Sequence, residues 1–282
     1  MPGSDHGAEH GAAYAGGCDE REGQRLQENA AARASMHIHD HYLKRYIVPG
    51  MDVLNASAAS GPFSVDLTEN GVSVTAAEIS AARPEGHAEP AADAGCEAAA
   101  AERAKLDLTG LGDCPGASFD AVVCFGGAVS FAMNRGADAV RELLRVLKPG
   151  GPCLLSVMSR VGAMRVGLEC VLEEACRHGV PYLEQGLTTG AFASERKPGR
   201  AIKLYAWREF KALLLHCGAR ILSASASNHL TTVRHGSPDL VERLWKEQPD
   251  LWAQLLEWEI EVCAEPGNLD GGNHIIAVVT RD

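Results

Sequence analysis

The run Phe119-Asp-Ala-Val-Val-Cys-Phe-Gly-Gly127 narrows the folds open to this chain more than any other stretch. It is a continuous apolar segment closed by glycine and without polar alternation, the pattern of a strand buried on both faces. Val140, Leu143, Leu144 and Leu147 then recur at the spacing of one helix face, and Lys148-Pro-Gly-Gly151 closes that helix. Cys153 to Met158 is a second buried strand. Two buried strands joined through a helix are parallel neighbours, because parallel pairing needs a crossover, and such a sheet carries helices on both faces.

The same alternation extends in both directions. Asp52 to Leu54, Val72 to Ala76 and Lys105 to Leu108 read as strands. A helix from Pro62 to Asn70, with proline near its first turn and Gly71 after its end, lies between the first two, and Ala91 to Ala101 is a helix before the third. After Ser159 the pattern loosens into an insertion near 159–203. It recovers with a helix at Trp207 to His216, a strand at Ile221 to Ala226, a long helix within Pro238 to Ala264 and a last strand at His274 to Val279. Ser35 to Tyr46 is a helix ahead of the first strand, whereas residues 1–34 are rich in Gly, Ala and charge and read as a flexible or lid-like segment. The expectation is an α/β fold: a doubly wound, mostly parallel seven-stranded sheet in a single domain over 35–282, with an N-terminal helical extension and a late insertion. Ligands then sit beyond the carboxyl ends of the strands.

Composition excludes some classes. A formal net charge of -11 argues against nucleic acid or anionic membrane as partners, and a small molecule fits better. The nine cysteines form no Cys-x-x-Cys pair, so reduced buried thiols and a cytoplasmic location are expected. No apolar run reaches membrane-spanning length, and no secretory signal is visible at the N-terminus. Oligomeric state is not legible from the sequence.

Three segments carry a family resemblance. Phe119 to Gly127 is similar to the fourth strand and following loop of class I S-adenosylmethionine-dependent methyltransferases. Leu143-Leu-Arg-Val-Leu-Lys-Pro-Gly-Gly-Pro-Cys-Leu-Leu155 is similar to that family's Leu-Lys-Pro-Gly-Gly helix end and fifth strand, and Val72-Ser-Val-Thr-Ala-Ala-Glu-Ile-Ser80 to its second strand, which ends in an acidic residue. The resemblance runs from about Tyr42 to the C-terminus and implies a Rossmann-like methyltransferase fold, S-adenosylmethionine as cofactor and methyl transfer to a small-molecule acceptor. It implies that Glu78 accepts hydrogen bonds from the ribose hydroxyls, and that Asp107 and Leu108 meet the adenine. Cys124, Phe125 and Gly126 would line the methionine and sulfonium side.

The first loop departs from the family. Where relatives read Asp/Glu-x-Gly-x-Gly-x-Gly, the aligned run is Asn55-Ala-Ser57-Ala-Ala59-Ser-Gly61, so only Gly61 keeps its place and Asn55 replaces a carboxylate. Side chains at Ser57 and Ala59 stand between backbone and ligand, and a non-glycine residue held at positive φ costs on the order of 1 to 3 kcal/mol. Two alternatives therefore stay beside methyl transfer: a cyclase or isomerase on the same scaffold, and a non-catalytic binding protein. Fold alone does not choose among them.

No motif fixes a catalytic base. His37-Ile-His39-Asp40-His41 puts His37 and His41 on one helix face, but it is one residue shorter than the metallo-hydrolase pattern, and no metal is assigned. If that helix covers the pocket, His41 or Tyr42 reaches the substrate. His229 and His274 are the other candidate bases. Cys124, within an apolar strand, reads as a small core residue rather than a nucleophile.

Overall fold

The computed structural model describes residues 29–56, 67–79, 104–106, 108–112, 114–193, 201–232 and 238–282. Residues 1–28, the start of the 62–70 helix and the 91–101 helix lie outside the described residues.

Helix α1 (Ala30–Tyr46) begins five residues before the expected start, because the Asn29 side chain caps it by accepting the Ala32 amide at 2.8 Å. Lys44 and Arg45 in its last turn complement the carbonyl end. Strands β1 (Asp52–Asn55), β2 (Ser73–Ile79), β3 (Ala104–Leu106), β4 (Ala121–Cys124) and β5 (Cys153–Met158) run parallel, and β9 (His274–Thr280) lies antiparallel between β5 and β8 (Arg220–Ser227). The seven-stranded order is β3-β2-β1-β4-β5-β9-β8, with β6 (Ala191–Ala193) and β7 (Ala201–Lys203) forming a separate hairpin.

Three short helices link the middle of the chain: α2 (Ala128–Phe131), α3 (Gly136–Val146) and α4 (Arg160–Val166). Among the described residues, the stretch expected as an insertion holds α5 (Leu168–His178), α6 (Val180–Thr189) and the paired β6 and β7, following α4. Buried Arg160 ties it down, donating to the Leu187 carbonyl at 2.9 Å and pairing with Glu209 on α7 (Trp207–His216). The long late helix is two, α8 (Pro238–Glu247) and α9 (Pro249–Ala264), broken where Pro249 removes an amide.

Each face of the sheet has its own core. On one, Val53, Val123, Phe125, Leu154 and Ile276 pack under Ile38, Tyr42 and Leu43 of α1 and Cys263 of α9. On the other, Leu54, Val122, Cys124, Leu155 and Ala277 pack under α3 and under Phe210 and Leu214 of α7. On α9, Trp258 is 54% exposed while its neighbour Glu259 is buried. Glu259 holds the turn after β8, its carboxylate accepting the Leu230 and Thr231 amides at 2.9 and 3.1 Å.

The Lys-Pro-Gly-Gly segment has a local physical reason. A side chain at Gly151 would strike the Asp120 carbonyl, and Lys148 pairs with the Asp120 carboxylate at 2.6 Å. Together these bring the end of α3 under the start of β4 and set the register in which β5 enters. Alignment of the strands' carboxyl ends follows from that placement.

Candidate functional site

Helix α1 descends along β8 in register: Ala31 at the carboxyl edge accepts from the Asn228 side chain at 3.3 Å, and Tyr46 meets Ser223 at 3.0 Å near the other end. His39 therefore lies toward the carboxyl edge of the sheet, where β1, β4 and β5 end and β9 begins. The expected cofactor residues fall along this edge to differing degrees.

Asn55 ends β1, almost fully buried, opposite Val123 of β4 and Ala76 of β2. Leu108, also buried, joins the apolar cluster that contains Leu54 and Ala56, which brings the segment after β3 to the end of β1. Glu78 lies near the carboxyl end of β2, in register with Lys105 of β3. Ser57, Ala59, Gly61 and Asp107 lie outside the described residues.

Cys124 requires a correction. Its side chain has no exposed surface and belongs to the core beneath α3, and burial pushes its thiol up to about 12. It is a neutral packing group, and only its backbone faces the edge. Phe125 is also enclosed, because His39 of α1 meets it edge-on with ring centroids 4.6 Å apart. Gly126 is the open member of the loop. It and Gly127 both have left-handed backbone, φ 74° and 76°, and nothing stands within 4 Å of where a Gly126 side chain would be. Such a pair lets main chain approach a ligand without a Cβ between them.

Gly127 is closed in by neighbours: its side-chain position is 3.0 Å from Met158 Cγ and 3.8 Å from His274 Nε2. His274 thus stands over the turn after β4, its backbone amide donating to Ser227 Oγ at 3.1 Å. Its ring is 6.1 Å from that of His39. His39 Nδ1 lies 2.7 Å from the Ser35 carbonyl oxygen, which can only accept, so Nδ1 carries the proton and Nε2 is the basic nitrogen. Burial lowers His39 to about 4 against a weaker opposing effect of that hydrogen bond. Burial, and then the neighbouring His39, lower His274 to about 3. Both rings are neutral at physiological pH, so neither places positive charge beside Gly126.

The structure sets the other candidates apart from this cluster. His41, on the opposite side of α1 from His39, has its ring 5.2 Å from that of Tyr42, and burial followed by Arg45 lowers its pKa. Tyr42 is buried against the sheet. His229 follows β8 with its ring against Gly271, where no side chain has room, and burial followed by Arg165 lowers its pKa. Among the described residues no three metal-ligating side chains converge. Sequence reasoning passed over His39 by pairing His37 with His41. The signal was its phase: Ser35, His39 and Leu43 form a stripe at four-residue spacing beside the apolar Ala34, Ile38 and Tyr42.

These residues suit a cationic adenosyl ligand: a buried amide at the end of β1, an exposed left-handed glycine at the end of β4, and imidazoles that stay uncharged beside it. Comparison with known proteins agrees on the domain. The family model described as "Methyltransferase domain" matches residues 53–151. An S-adenosylmethionine-dependent methyltransferase from Mesorhizobium loti has a similar fold, with a TM-score of 0.52 at 15% identity, covering 91% of this chain and 100% of that one. A SAM-dependent methyltransferase from Methanosarcina mazei aligns with a TM-score of 0.50 at 16% identity, covering 85% of this chain and 96% of that one. No curated protein matches the sequence. Residues 53–151 thus match a methyltransferase domain, and the chain has the fold of S-adenosylmethionine-dependent methyltransferases, with S-adenosylmethionine as the cofactor that this domain takes.

Proposed function

We propose that this chain transfers a methyl group from S-adenosylmethionine to a small-molecule acceptor in the cytoplasm. The observation that carries the reading is the convergence of Asn55, Leu108 and the Gly126–Gly127 turn on the carboxyl edge of the sheet, within the stretch that matches the methyltransferase domain. When bound, the cofactor supplies a sulfonium methyl that leaves to an attacking nucleophile as the carbon–sulfur bond breaks.

The chain's own residues bind and orient. Glu78 accepts from the ribose hydroxyls, Asp107 and Leu108 hold the adenine, and Asn55 hydrogen-bonds the amino-acid end through its amide. The backbone of Cys124, Phe125 and Gly126 borders the sulfonium, and Ser57, Ala59 and Gly61 are further cofactor-binding positions. Helix α1 excludes water over Phe125. Because the methyl is already activated, alignment of donor and acceptor supplies most of the rate. The acidic surface favours a free small acceptor over nucleic acid.

Calorimetric titration with S-adenosylhomocysteine tests the cofactor role. The wild-type chain is expected to bind with micromolar affinity, and Glu78→Ala to weaken binding about tenfold or more through loss of charge-assisted hydrogen bonds. Absence of heat and of any thermal shift at millimolar ligand would remove methyl transfer and leave a protein that keeps the fold for another purpose, the reading that the altered 55–61 loop favours.

A further inference from the structure

Helix α9 carries more apolar surface than the sheet covers. Glu259 and Cys263 are buried on the side turned to the sheet, with Trp252 and Leu256 half-buried in the same row. Leu251, Leu255, Trp258 and Val262 recur on the neighbouring side at spacings of four, three and four, the pattern of a helix that packs against another helix. Among the described residues that seam stays open: Leu251 is 57% exposed and Trp258, at its centre, 54%. Trp245 on α8 gives the contrast, since the Arg33 guanidinium lies over its ring at 3.9 Å.

The charge beside the seam narrows what can cover it. Asp250, Glu257 and Glu261 form the exposed row on its other side, and α9 contains no lysine, arginine or histidine. Glu261 in the last turn and Glu265 at the cap stand at the negative carbonyl end of the helix, where cations are favoured, so α9 leaves this charge uncompensated at some cost in stability. His41 on α1 is the titratable group whose charge reaches Glu257, and burial lowers its proton affinity, so it adds little positive charge. A second copy of the chain, at a formal net charge of -11, would set one acidic row against another. Residues 1–28 are no better complement, with two arginines against six acidic residues.

We propose that the α9 seam docks a basic amphipathic helix of a partner protein, its apolar side chains packed around Trp258 and its lysines or arginines set along Asp250, Glu257 and Glu261. Trp258 is the anchor, because a large aromatic ring exposed at the centre of a seam gives up the most water-accessible area on docking. The acidic row selects the partner by charge and sets how its helix lies on α9. Apolar contact and charge act together here, so a basic chain without an apolar stripe, or an apolar helix with acidic flanks, binds poorly. Docking at α9 does not depend on methyl transfer.

The test uses the full chain and synthetic peptides of about twenty residues, long enough to form a helix on binding. One has leucine at the seam positions and lysine beside them, one has the same composition scrambled, and one has glutamate for every lysine. In calorimetry the ordered basic peptide is expected to bind about tenfold or more tighter than the other two. It is also expected to shift tryptophan emission to the blue, an effect that Trp258→Phe removes. Trp258→Ala, and separately Glu257→Lys with Glu261→Lys, are expected to weaken binding about tenfold or more without lowering the melting temperature, and the charge reversal to favour the glutamate peptide. No binding of the ordered peptide, equal binding of the scrambled one, or binding that survives these substitutions overturns the proposal. A dimer in sedimentation that Trp258→Ala dissolves gives the seam to a second copy, and a Trp258 blue shift on phosphatidylcholine vesicles gives it to a membrane; either result overturns the proposal as well.

Discussion

His39 shows how one buried side chain ties helix α1 to the edge of the sheet. Its ring is nearly fully buried, its Nδ1–H is committed to the helix backbone, and its edge rests on Phe125. Burial lowers its proton affinity, and the sign of the consequence follows. Unfolded, a histidine takes up a proton near pH 6.5, whereas folded His39 does so only at about 4. Between these values the unfolded state binds more protons, so the stability present above pH 6.5 is lost as pH falls through the window, on the order of 2 kcal/mol or more by its lower end. Urea unfolding of wild type and His39→Phe at pH 7.0 and pH 5.0 checks this. The wild type is expected to lose more stability between the two pH values than the variant, and equal losses would contradict the account. Cys124 teaches the converse: it sits where the family resemblance places a cofactor neighbour, but the strand's alternation turns its thiol into the core.

At the scale of elements, the strands were legible because burial on both faces leaves an unbroken apolar run. The apolar run Phe119 to Gly127 contains β4 (Ala121–Cys124), two to three residues longer at each end, and Cys153 to Met158 matches β5 at both ends. Capping and breaking were harder to read, since each depends on a single polar residue or proline in context. Asn29 starts α1 earlier than its apolar stripe does, and Pro249 divides what periodicity presents as one helix. The run Asn55 to Gly61 is the stretch whose sequence departs from the family pattern. If Ser57 and Ala59 obstruct close approach, the double change Ser57→Gly and Ala59→Gly should tighten S-adenosylhomocysteine about tenfold, the equivalent of roughly 1.4 kcal/mol and within the cost of a non-glycine residue at positive φ. Unchanged affinity would show that the loop binds without left-handed backbone at those positions.

For the whole molecule, the doubly wound sheet was readable from the order of segments, and the order β3-β2-β1-β4-β5-β9-β8 carries it to the antiparallel β9. What the sequence concealed was the meeting of distant parts. Helix α1 docks its first turn on α8, with Arg33 over the Trp245 ring at 3.9 Å and the Ala30 amide donating to Glu242 at 2.6 Å. That contact spans most of the chain, and so does the approach of His39 to His274. No local pattern encodes either, because each depends on the completed sheet to bring its two sides together. Among the described residues no helix is long and apolar enough to cross a membrane. The central claim is that the carboxyl edge between β1 and β4 holds an adenosyl ligand, and a crystal structure of the chain with S-adenosylhomocysteine tests it most directly. The account predicts the ligand above the ends of β1, β2 and β4, with its ribose on Glu78 and its sulfur beside Gly126. A structure in which residues 57–61 fill that space and Glu78 points away from it would contradict the account.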